Sequence, residues 1–109
     1  MNLPPIARVH RSFDQPEVAD VPGEVTRSVR SSRLAEHVPA GGSIAITVGS
    51  RGIAGLPGIV RATVDAVRSL GFRPIIVAAM GSHGGGTADG QRALLAELGV
   101  TELSAGCPV

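Results

Sequence analysis

The chain has 109 residues, of which 43% are hydrophobic and 2% aromatic, and its formal net charge at pH 7 is +1. This is the length of one small domain with an aliphatic core, and so weak a charge offers no basic surface for nucleic acid. The chain contains no lysine, which excludes Schiff-base, lysine-nucleophile and P-loop chemistry from these residues.

The cysteine and histidine content bears on metal binding, and the apolar runs bear on the cellular compartment. A single cysteine, Cys107, excludes an internal disulfide, and the three histidines show no ligand-pair spacing, so we predict no metal site on this chain. No apolar run reaches the roughly 20 residues of a membrane span, and the first residues lack a secretory pattern. We therefore expect a cytoplasmic protein that contacts no membrane.

The single domain, 1–109, divides into a less regular N-terminal segment, 1–42, and a core, 43–109. Loose alternation over residues 6–13 predicts a short edge strand. Residues 14–22 are interpreted as a connector. A weak apolar stripe then predicts a helix over residues 24–37 that ends before Pro39.

The core has a more regular pattern. Residues 43–48 predict a strand apolar enough to be buried on both faces, and residues 74–80 predict a second strand. Apolar residues at three-and-four spacing predict a helix over residues 56–70 between these strands, and Thr87 is placed as the N-cap of another helix. The order β-α-β-α predicts an α/β fold, a parallel Rossmann-like unit whose helices pack on a small parallel sheet in three layers. Residues 100–109 lead toward a further strand without completing it.

A glycine-rich turn over residues 81–87 is the most informative feature of the sequence. It joins an apolar strand to a capped helix and contains His83, whose imidazole can exchange a proton near neutral pH. Ligands of parallel α/β units bind where the strands end, so the loop over residues 49–52 faces the same crevice. We therefore expect Arg51 and His83 to reach one small carboxylate.

The residues themselves are similar to a known family. Residues 44–53, with the sequence IAITVGSRGI, and residues 79–87, with the sequence AMGSHGGGT, resemble the N-terminal domain of the nickel-dependent lactate racemase family. The resemblance covers roughly residues 6–109. It implies an isomerase, a 2-hydroxy acid racemase or epimerase that uses a nickel pincer nucleotide to accept and return a hydride. It also implies that His83 is the first of two acid/base histidines.

The chain departs from the family in two places. Characterised racemases carry an Asp-His-Thr-Arg-Pro motif where this chain reads SRGIA, so the Asp is missing and Arg51 supplies a cation at a shifted position. The family's cofactor-anchoring lysine, nickel-binding histidine and second catalytic histidine lie beyond Val109. We therefore expect a fragment, inactive alone, whose partners are a 2-hydroxy acid and the missing C-terminal domain. The nickel pincer nucleotide would belong to the longer protein.

On this interpretation His83 is catalytic, and Arg51 and Ser50 bind substrate, with the guanidinium fork of Arg51 on its carboxylate. A set of turn residues is assigned to cofactor binding: Gly81, Ser82, Gly84 and Thr87. The serines and Thr87 also fit turn and capping roles. The alternatives are a small anion- or nucleotide-binding module without catalysis, and an interaction fragment.

Overall fold

The computed structural model describes residues 5–109 and shows a mixed α/β arrangement. Two parallel strands are paired from Ser43 with Arg73 to Val48 with Ala78, as the sequence predicted. The elements in chain order are α1 (Val21–Ser31), α2 (Leu34–His37), β1 (Ser43–Val48), α3 (Leu56–Ser69), β2 (Arg73–Ala78), a 3₁₀ turn (His83–Gly86), α4 (Ala88–Glu97) and α5 (Glu102–Ala105).

Helix α3 carries the chain from the end of β1 back to the start of β2. Its predicted apolar stripe is confirmed, because Val60, Val64 and Val67 are buried. Gly71, the second residue after the end of the helix, adopts a φ of +85°, a conformation that glycine allows without strain. A crossover of this kind returns the second strand parallel to the first.

The sheet is covered on one face only among the described residues. Ile76 of β2 is buried, whereas its neighbours Ile75 and Val77 are 40% and 44% exposed. Val48, Val64, Ile76 and Leu95 belong to one buried cluster, so α3 and α4 both contribute to the same side of the sheet. The predictions that β1 is buried on both faces and that the fold has three layers are therefore wrong.

The N-terminal segment differs most from the sequence prediction. Residues 5–20 form no strand, so the predicted edge strand over residues 6–13 is wrong. Its apolar side chains Ile6, Val9 and Phe13 are exposed. They fall on both sides of the predicted strand, which therefore has no single apolar face to bury against a sheet.

The helix predicted over residues 24–37 is two helices. The first begins earlier, at Val21, because the Asp20 side chain accepts a hydrogen bond from the Gly23 amide at 2.9 Å and Pro22 fits the first turn. The break falls at Arg33, whose φ of 59° is incompatible with a continuous helix. The predicted end before Pro39 is confirmed.

Residues 73–99 follow the prediction closely, but α5 (Glu102–Ala105) is a helix where the sequence was expected to lead toward a further strand. Strand β2 lies one to two residues nearer the N-terminus than predicted, and Thr87 caps α4 as expected. Leu95 is fully buried in the core. After α5 the chain returns to the sheet, where the Pro108 carbonyl accepts a hydrogen bond from the Ile76 amide at 2.9 Å.

Candidate functional site

The loops that follow β1 and β2 meet at one edge of the sheet. The Ser50 hydroxyl lies 2.5 Å from Nδ1 of His83, although the two residues are 33 positions apart in sequence. One further backbone hydrogen bond, from Ala79 N to Val48 O at 2.8 Å, continues the strand pairing toward this contact. The expectation that both loops lie at the carboxyl ends of the strands therefore agrees with the observed geometry.

The other ring nitrogen of His83, Nε2, has no hydrogen-bond partner within residues 5–109, and the residue as a whole is exposed. A hydrogen bond at one imidazole nitrogen fixes which tautomer forms and leaves the opposite nitrogen for a ligand. When Nδ1 is the donor in its contact with Ser50, Nε2 carries the lone pair and can accept a proton.

Arg51 lies beside Ser50 on the same loop and is exposed. Its guanidinium forms no salt bridge with any carboxylate of the described residues, whereas Arg27, Arg33 and Arg61 are each paired with an acidic neighbour. Arg51 and Ser50 both line a groove of about 390 Å³ between β1 and α3. That Arg51 and His83 reach one carboxylate stays a prediction.

The glycine-rich turn is held in place by a residue that the sequence did not single out. Gln91 in α4 donates hydrogen bonds from Nε2 to the carbonyl oxygens of Gly81, at 2.7 Å, and His83, at 3.3 Å. These bonds fix the backbone that carries the imidazole. The position of Gln91, four residues after the N-cap Thr87, places it in the first turns of the helix next to the glycines and could have indicated this role.

Gly84 and Thr87 have structural roles within the chain. The Thr87 hydroxyl accepts from the Gly90 amide at 3.1 Å and donates to the Gly84 carbonyl at 3.2 Å, so its predicted capping role is confirmed. A Cβ atom on Gly90 would lie 1.9 Å from the Gly84 oxygen, so the turn packs directly on the first turn of α4. The cofactor contacts assigned to Gly81, Ser82, Gly84 and Thr87 stay predictions.

The donor set of the chain does not fit the nickel nucleotide that the resemblance implies. Within residues 5–109, no three His, Cys, Asp or Glu side chains come together as a possible metal site. The sequence offers no lysine for covalent attachment. Cys107 is a buried free thiol, and burial raises the pKa of that thiol, which disfavours the thiolate that metals bind. Ligands for a nickel nucleotide would therefore have to come from residues outside this chain.

Comparisons with known proteins identify no relative: no family model, curated protein or solved structure matches the chain. Within the part of the chain that the structure describes, no helix combines the length and the apolar character that a membrane crossing requires.

Proposed function

We propose that the chain is the N-terminal, Rossmann-like β-α-β-α part of a lactate racemase-like isomerase that acts on a 2-hydroxy acid. The contact between Ser50 and His83 is the observation that carries this proposal. This contact joins the loops that follow β1 and β2, whose sequences resemble the family. It involves Nδ1 of His83 and leaves Nε2 without a partner among the described residues. The nickel pincer nucleotide would be held by residues outside this chain and would supply the hydride acceptor for the substrate carbon that carries the hydroxyl.

The role of this chain is proton transfer at the substrate hydroxyl. When Nδ1 of His83 donates its proton to the Ser50 oxygen, Nε2 carries the lone pair and accepts the hydroxyl proton. The imidazolium keeps its hydrogen bond to Ser50, and Nε2 returns the proton to the oxygen when the hydroxyl reforms. The exposed Arg51 guanidinium supplies a cation for the substrate carboxylate at the neighbouring position.

A non-catalytic anion- or nucleotide-binding module is the second candidate. The N-terminus of α4 favours it, because helix N-termini attract anions and this one begins at a glycine-rich turn. The packing of Gly84 on Gly90 argues against it, since protein backbone already lies against the first turn of α4. The two candidates differ in whether the His83 imidazole is needed for turnover.

The test is a racemisation assay on the intact, cofactor-loaded protein to which this sequence belongs. We expect His83→Asn to lower kcat by about 10²–10⁴ and to change KM much less, because the imidazole transfers a proton rather than anchoring the substrate. His37→Asn, an exposed change at the end of α2, serves as the control and leaves kcat unchanged. Full activity of His83→Asn, or racemisation by the 109-residue chain alone, would contradict the proposal.

A further inference from the structure

The groove between β1 and α3 has an apolar floor and apolar walls. Buried Leu56 and Val60 of α3 form the floor together with Val48 of β1, and half-buried Ile46 and Ile59 form the walls. Small-molecule sites in proteins have this character, with mostly apolar lining and a few polar groups that fix orientation. The groove can therefore remove an aliphatic group from water.

The polar groups of the groove are gathered where β1 ends. Ser50 and Arg51 line it there, and Ser50 in turn contacts His83. No acidic residue lines the groove, and Arg51 has no carboxylate partner within residues 5–109. The charge at this end is thus complementary to an anionic head group, and the rest of the groove to an apolar tail.

We infer that the site takes a 2-hydroxy carboxylate whose substituent is a branched aliphatic chain rather than the methyl group of lactate. This inference rests on the proposed function for the hydroxyl and on the groove for the substituent. The carboxylate binds at Arg51, the hydroxyl lies at His83 and the branched chain lies over Ile46 and Ile59. A methyl group would leave most of the volume of about 390 Å³ to water.

The test compares three acids by NMR titration of the 109-residue chain: 2-hydroxy-4-methylpentanoate, lactate, and 4-methylpentanoate, which lacks the hydroxyl. We expect the hydroxylated branched acid to bind at least about tenfold more tightly than lactate, because it buries three additional carbons. Arg51→Gln should weaken the binding of all three acids. Arg73→Gln, at the opposite end of the sheet, is the matched control and should change none of them.

Ile53→Ser tests the apolar part separately. Ile53 lines the groove but is 56% exposed, so its side chain can be shortened without opening the core. We expect the preference for the branched acid over lactate to fall about threefold, with lactate binding unchanged. Equal affinity for the branched acid and lactate, an unchanged preference in Ile53→Ser, or no binding of any acid would overturn the inference.

The titrations test the groove, and the racemisation assay tests His83, so the two proposals can fail separately. If the branched acid binds more tightly than lactate but His83→Asn leaves kcat unchanged, the groove is an apolar-acid site and the catalytic role of His83 is wrong. If His83→Asn lowers kcat as expected but the branched acid has no advantage over lactate, the role of His83 stands and the groove assignment is wrong.

Discussion

Ser50 constrains the imidazole of His83 at Nδ1 and leaves Nε2 accessible. Free imidazole exchanges between two tautomers, and a hydrogen bond to one ring nitrogen selects between them. The sequence identified His83 from its glycine-rich surroundings and placed Ser50 on the opposing loop. It could not show that the two side chains touch, because that contact depends on the register between β1 and β2.

We predict that Ser50→Ala changes the tautomer balance of His83. Removal of the hydroxyl leaves Nδ1 without its partner, so the two ring nitrogens become more alike in their ¹⁵N chemical shifts. A long-range ¹H–¹⁵N correlation spectrum, recorded for both proteins at the same alkaline pH, measures this change. Ser82→Ala alters the exposed serine next to His83 and should leave the ring shifts in place. Unchanged ring shifts in Ser50→Ala would show that the contact is absent in solution.

Helix α4 and the glycine-rich turn form one structural unit. The turn contains left-handed glycines, including Gly84 at φ +64°, and its backbone approaches α4 so closely that Gly90 has no room for a side chain. Gln91 adds hydrogen bonds from the same helix to the turn. The glycines of this turn therefore serve the placement of His83, whether or not a ligand also contacts them.

We predict that Gly90→Ala lowers the free energy of unfolding by about 1–3 kcal/mol, because the new Cβ atom would lie 1.9 Å from the Gly84 oxygen and force the turn to move. Gly58→Ala is the matched control, since Gly58 is likewise the third residue of its helix and has nothing within 4 Å of the added atom. It should raise the free energy of unfolding by about 0.5–1 kcal/mol. Urea denaturation measures both. Equal effects of the two substitutions would contradict the close packing of turn and helix.

At the scale of the whole molecule, the sequence predicted the pairing of the strands but not which face of the sheet is covered. Ile75, Ile76 and Val77 are alike in hydrophobicity, so the residues themselves do not distinguish inside from outside. Helix packing makes that distinction. Helices α3 and α4 cover the face that contains Ile76, which is buried, and they leave Ile75 and Val77 exposed. The prediction of an edge strand over residues 6–13 is wrong for a related reason. Alternation of side chains along a segment does not by itself supply a neighbouring strand to pair with.

The central claim is that the two strand-end loops form one binding site. An ¹H–¹⁵N correlation titration of the chain with 2-hydroxy-4-methylpentanoate tests it directly. We predict that the amide shifts of residues 49–53 and of residues 79–87 move together along one binding curve. Changes confined to a single loop, or centred on Ser43 and Arg73 at the opposite end of the sheet, would contradict a shared site.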